Sequence, residues 1–268
     1  MNTIILATDY SPAARHAAVY AAHLAQFLGM DLQLFHAYVI PFSYTDSPVP
    51  LLNIEEVQEI ARQSMDAEIA HLQKLFPDVT ISGNISPGDI IDCLNERIEE
   101  GRPELVVMGT SGAGGDSFLW GSMAVKALRT LTVPVLAVPL EAQWTPIDHI
   151  CFAADYKNIG ENFPFKEIKK WVSKLGAKLD VVHVDKPGEN VAPDANLQPA
   201  LSDINPAYHA LTDEHIGNAI AGFLEKNKTD WVMVIPKKYG FFENLFHKSR
   251  TEILAKASKI PILAIHQD

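Results

Sequence analysis

The sequence predicts a doubly wound α/β fold built twice in one chain, and three observations carry that expectation. Short apolar runs alternate with stretches of helical spacing through short turns, the pattern of a parallel sheet covered on both faces. The pattern stops around Glu141 to Pro146 and starts again at His149. A glycine-rich loop, Gly109 to Gly115, follows the apolar run Leu105 to Met108, and in such folds a loop after a strand is where ligands sit.

Taken in order, Ile4 to Thr8 reads as a first strand ending at Asp9. Ser11-Pro12 then supplies a cap and a first-turn proline for a helix whose apolar positions run from Ala14 to Leu28 and stop at Gly29. Leu32 to Tyr38 is the second strand, Pro41 to Pro50 a proline-punctuated loop, and Ile54 to Leu75 a longer, polar-faced helix. A strand around Val79 to Ile85 leads through Pro87-Gly88 into a helix from Asp89 to about Glu100. The first unit closes with the strand Leu105 to Met108, a helix Met123 to Thr130 that Ser122 is placed to cap, and the strand Val133 to Val138.

The second half repeats this plan. Ala7-Thr8-Asp9-Tyr10 matches Ala153-Ala154-Asp155-Tyr156, and LGMDLQLFHA at Leu28 matches LGAKLDVVHV at Leu175. The block ELVVMG to VPVLAVP matches DWVMVIP to IPILAIH at one constant spacing, which pairs Ser122 with Ser249 and Pro134 with Pro261. The boundaries predicted are residues 1–143 and 144–268, the second copy being about twenty residues shorter where the first has its long second helix. Lys186 to Asn205 reads as loop with at most a helical remnant near Pro199 to Asp203.

Composition excludes several classes. The chain is 47% hydrophobic and 21% charged, which suits a globular protein with a sizeable core. Its formal charge of −11 argues against nucleic acid as a partner, since neutralising phosphates needs clustered Lys and Arg. The acidity is concentrated in residues 1–143, with 7 Lys and Arg against 17 Asp and Glu. The opening run has no basic flank and reads as a strand, not a signal peptide, and no stretch approaches a membrane span. Cys93 and Cys151 have neither disulfide nor zinc spacing, so a reducing cytoplasm is expected.

Glycines after a strand let backbone N–H groups approach a ligand, and the N-terminus of the following helix carries roughly half a positive charge. Together they describe an anion cradle, with an ordinary glycine-rich turn as the competing reading. No lysine follows Gly121-Ser122, so it is not a P-loop. Gly109-x2-Gly112, then Gly121-Ser122 and VPVLAVP, resembles the nucleotide signature of the universal stress protein family, with eight residues from Ala113 to Trp120 where that family has nine. The resemblance implies two flavodoxin-like, Rossmann-like repeats of strand order 3-2-1-4-5, paired inside the chain through their last strands, with a further homodimer open. It implies ATP or a related adenine nucleotide, with Mg²⁺ as a companion ion, in the first repeat. The binding residues it implies are Ala7, Thr8, Asp9, Ala37, Met108, Gly109, Ser111, Gly112, Gly121, Ser122 and Met123, with Asp9 near adenine or ribose. A helix-capping aspartate is the plainer reading of Asp9.

In the second copy the matching positions are Pro236, Tyr239, Lys248 and Ser249, and Ser249 to Glu252 forms a capping box. The site is expected to be lost there. Lys237, Lys238, His247, Lys248 and Arg250 read as a solvated basic loop, with a weakly held anion as the alternative. His215-Ile216-Gly217-Asn218 and Lys256-Ala257-Ser258-Lys259 echo adenylate-activating signatures, but the first lacks its second histidine and opens the wrong helix. His36 and His183 end their second strands and are expected to bond backbone. No nucleophile and base, carboxylate pair or metal cluster assembles from the sequence. The expected function is a stress-response binder or regulator with at most slow hydrolysis. A nucleotide-free scaffold for protein contacts is the alternative, and an adenylyl-transferring enzyme a distant third.

Overall fold

A computed structural model describes residues 2–39, 54–110, 121–156, 159, 162–192, 195–236 and 259–266. In chain order the first half runs β1 (Thr3–Ala7), α1 (Pro12–Leu28), β2 (Asp31–Tyr38), α2 (Ile54–Leu75), β3 (Ile81–Pro87), α3 (Ile90–Gly101), β4 (Leu105–Gly109), α4 (Ser122–Thr130) and β5 (Val135–Val138). The second half runs β6 (His149–Ala153), α5 (Phe165–Leu175), β7 (Lys178–Asp185), α6 (Leu197–Leu201), a 3-10 turn (Ser202–Ile204), β8 (Ala207–Thr212), α7 (Ile216–Lys226), β9 (Trp231–Val234) and β10 (Ile262–Ala264).

All ten strands join one sheet of order β3-β2-β1-β4-β5-β10-β9-β6-β7-β8. Each half therefore has the doubly wound order 3-2-1-4-5, and the parallel pairing inside each half is broken once, where β5 meets β10 antiparallel through Ile262 and Ala137, Leu263 and Leu136, Ala264 and Val135. The shortening falls as expected. Where the first half has the 22-residue α2, the second has the five-residue α6 and its 3-10 turn.

Central strands buried on both faces explain the uninterrupted apolar runs. Ile4, Leu6, Leu136, Val138, Phe152 and Leu263 face one core, and Ile5, Ala7, Val135, Ala137, Cys151 and Ile262 face the other. Both cores cross the β5–β10 joint, so the halves share their interior. The joint is reinforced by α1: the buried Trp231 indole N–H donates to the Tyr20 hydroxyl at 2.8 Å, and His16 Nε2 lies 2.6 Å from the Ala142 carbonyl oxygen. Trp144 packs edge-on against Tyr20 and stacks on His23.

Helix α1 starts and stops as its sequence dictates. Ser11 Oγ accepts from the Ala14 N–H, Pro12 occupies the first turn, and Gly29 closes the helix at φ 62° in the left-handed region. Both cysteines are buried thiols. No helix among the described residues is long and apolar enough to cross a membrane.

Candidate functional site

The carboxyl ends of β1, β2 and β4 and the N-termini of α1, α3 and α4 converge on one pocket of about 550 Å³. It is lined by Ala7, Thr8, Asp9, Ala37, Met108, Gly109, Gly121, Ser122 and Met123, nine of the residues the resemblance implies. Ser111 and Gly112 lie outside the described residues, as does Asp116. Ala14, Val39, Gly88, Asp89, Ile90, Thr110 and Ala124 complete the lining, and sequence reasoning missed them. For Gly88, Asp89 and Ile90 the signal was present: a Pro-Gly-Asp turn after a strand opens on the same edge as Asp9 and Gly109.

The turn from β1 to α1 is held tightly. The Thr8 N–H donates to Phe35 O at 2.9 Å, the Tyr10 N–H to Thr8 Oγ1 at 3.0 Å and the Ser11 N–H to Asp9 Oδ1 at 3.0 Å. Tyr10 sits at φ 60°, a conformation that costs a non-glycine residue energy, and its ring tilts against His36 at 4.6 Å between centroids. His36 Nδ1 is 2.8 Å from Thr8 O, which fixes β2 to this turn. The second half repeats the device: His183 Nδ1 lies 2.9 Å from Ala154 O, and Tyr156 stacks on His183. Both histidines thus bond backbone, as the sequence suggested.

Gly109 has a structural reason for being glycine. A Cβ there would stand 2.8 Å from Ala13 O and 2.9 Å from Ala13 C, because the first turn of α1 lies against the end of β4. The helix start differs in the second half, where α5 opens ten residues past Asp155, whereas α1 opens three past Asp9. The counterpart of Gly109 is there Pro236. The other second-half positions, Tyr239, Lys248 and Ser249, lie outside the described residues, together with the basic loop and the capping box.

Three helix N-termini face the pocket, and their caps differ. Ser11 caps α1. Asp89 caps α3, its Oδ1 accepting from the Ile91 N–H at 3.0 Å and from Lys126 Nζ at 3.4 Å. Partial burial works upward on the Asp89 carboxyl, but these bonds outweigh it and hold its pKa below the usual range. At α4 the sequence expectation is corrected: Gly121 is the N-cap, Ser122 is the first helical residue, and no side chain among the described residues caps this end. The reason is that the Gly121 N–H is drawn back to Thr110 O, closing the base of the loop and placing Ser122 inside the first turn. The opening N–H groups of a helix find no acceptor within the helix itself, and the residues that open α4, Ser122, Met123 and Ala124, line the pocket.

Chemically the pocket lining combines apolar side chains, Ala7, Ala37, Ile90 and Met108, with two carboxylates, Asp9 and Asp89. No group of three metal-ligating side chains occurs among the described residues. Lys126, four residues into α4, reaches the rim only to meet Asp89.

The fold and the pocket define a doubly wound α/β protein with a cleft on the carboxyl edge of its first five strands. A family model described as the Universal stress protein family matches residues 1–139, just over half of the chain, and the chain belongs to that family. No curated protein matches the chain. Among solved structures, a universal stress protein from Archaeoglobus fulgidus DSM 4304 is 18% identical with a TM-score of 0.73, covering 100% of this chain and 99% of its own. A functionally unknown protein from Pseudomonas aeruginosa PAO1 is 13% identical with a TM-score of 0.59, covering 100% of this chain and 93% of its own. A universal stress protein solved in complex with cAMP is 23% identical and covers 51% of this chain and 96% of its own, with a TM-score of 0.39. The first two likenesses speak to the fold alone, and no argument rests on the third.

Proposed function

We propose that the first repeat, residues 1–143, binds an adenine nucleotide in this pocket and that the second, residues 144–268, has lost the corresponding site. The observation that carries the reading is the pocket where the ends of β1 and β4 meet the N-terminus of α4, a helix end that no side chain among the described residues caps. Helix donors and dipole suit a phosphate, and the apolar lining residues Ala37, Ile90 and Met108 suit a base. Asp9, which lines the pocket, would meet the adenine or the ribose. Adenine over other bases follows from the family signature at Gly109, Gly112, Gly121 and Ser122, which also brings ATP and Mg²⁺ into consideration.

The protein acts as a binder in the cytoplasm, serving a stress response through its bound and free states. Phosphoryl transfer is accelerated by cations placed at the developing charge, and the described pocket lining has no Lys, Arg or His. Hydrolysis should fall far below the enzyme median of about 10 per second. The β5–β10 joint makes the chain an internal pseudo-dimer of its two repeats, a proposal supported by the antiparallel register there.

Denaturing the purified protein and chromatographing the supernatant should release an adenine nucleotide. Titration calorimetry on stripped protein should give one site per chain, abolished by Gly121→Asp. Two equivalent sites, or binding that survives this substitution, would overturn the reading. The pseudo-dimer fails if halves severed near Trp144 do not associate.

A further inference from the structure

A second cavity, of about 630 Å³, lies on the joint between the repeats, at the edge where β4 and β5 begin and β10 ends. Both halves build its walls: Arg102 to Glu104 and Thr132 to Pro134 precede β4 and β5, and Asn162 to Glu167, Lys170 and His266 belong to the second half. We propose that this cavity binds a small organic carboxylate, its charge met by Arg102 and Lys166 and its apolar body laid against Val133, Pro134 and Phe165. The site is separate from the nucleotide pocket, which lies at the other ends of α3 and α4.

The late start of α5 brings the second-half wall to the joint. The Phe165 N–H donates to Phe163 O at 2.8 Å across Pro164, a tight turn that opens the helix. Phe163 is buried and its ring packs on Phe165 at 4.7 Å between centroids, so the turn presents a fixed surface. On the facing wall Arg102 closes α3 at φ 42°, in the left-handed region where glycine or asparagine customarily ends a helix. Another residue held there costs energy, and such positions cluster at ligand clamps. His266 is fixed by the bond from its Nε2 to Leu128 O at 2.9 Å.

The two carboxylates of the lining are already met. Lys170 Nζ lies 2.8 Å from Glu104 Oε2 and 2.8 Å from Glu167 Oε1, and Lys174 Nζ lies 3.5 Å from Glu104 Oε2. Arg102 and Lys166 bring further positive charge, one from each repeat. A guanidinium holds a carboxylate through two parallel bonds, and an ammonium adds a point charge. A bare inorganic anion would leave Val133, Pro134 and Phe165 uncovered, whereas an organic acid of about ten carbons suits a cavity of this size and uses both kinds of wall.

The test is calorimetric titration of the full chain with hydrocinnamate, with the corresponding alcohol as its uncharged match and inorganic phosphate as the bare anion. The acid should bind at least about tenfold tighter than either, and more weakly as salt rises. Arg102→Asn removes the charge but keeps a residue that accepts the left-handed conformation, and Lys166→Gln changes an exposed side chain in the first turn of α5. Each should weaken the acid at least about fivefold. Thermal midpoints taken alongside check that each variant is folded, and the acid should stay bound in saturating AMP. The inference is overturned by absence of saturable binding, by an alcohol that binds as tightly as the acid, by an affinity unmoved when both substitutions are combined, or by displacement with AMP.

Discussion

Gly109→Ala isolates a backbone contact on which both the fold and the pocket depend. The new methyl group would stand 2.8 Å from Ala13 O, 2.9 Å from Ala13 C and 3.2 Å from Ala14 N. All three are backbone atoms, so no rotamer change relieves the overlap and α1 or β4 must move. Overpacking of this kind costs about 1–3 kcal/mol. At about 2–4 °C per kcal/mol for a chain near this size, the melting temperature should fall by roughly 5 °C. The assay is thermal and urea denaturation of nucleotide-free protein, so that any loss reports on packing and not on ligand. Because Asp9 and Ser11 sit on the turn that must shift, nucleotide affinity should fall as well. An unchanged midpoint in the nucleotide-free protein would refute the close approach and return Gly109 to a purely ligand-facing role.

Other perturbations separate further contributions. Gly222→Ala, in α7 with nothing within 4 Å of the added Cβ, should raise stability by about 0.5–1 kcal/mol in the same denaturation assay. Tyr20→Phe strands the buried Trp231 indole N–H and should cost about 1–3 kcal/mol, read from the urea midpoint. Burial holds the pKa of His266 below its ordinary value of 6.5, with the bond to Leu128 O working the other way. Its folded form thus prefers the neutral ring, so the stabilisation is complete above pH 6.5 and is lost as pH falls through the depressed pKa. Denaturation midpoints taken on the acid side should therefore decline less steeply in His266→Gln than in the parent chain.

Most of the fold is legible because each element carries its own signal. Ser11-Pro12 and Gly29 bound α1 by capping chemistry, and the apolar runs of β4 and β5 need no partner to be recognised. The repeat in turn made the order of the second half readable from the first. What escaped depends on distance along the chain. Tyr20 and Trp231 are 211 residues apart, and nothing local announces that they meet. Asp89 could be read as the start of a helix, but its place beside Asp9 in the pocket follows from β3 lying two strands from β1 while α3 crosses back over β2. Ser122 was misplaced by one position because serine favours the N-cap by propensity. The backbone bond from Gly121 to Thr110 overrode that preference.

The antiparallel contact of Ile262, Leu263 and Ala264 with Ala137, Leu136 and Val135 has a genetic consequence. Two identical chains meeting through such a joint would be bound by symmetry, and every substitution in one ligand edge would be made in the other as well. Covalent union lifts that constraint while keeping the partners together at any dilution. Because the joint reverses strand direction, the two carboxyl edges open on opposite sides of the sheet, and remodelling one leaves the other physically untouched. The turn at Pro236 was free to change while Gly109 stayed pinned against Ala13. Each edge can therefore carry its own residues without constraining the other.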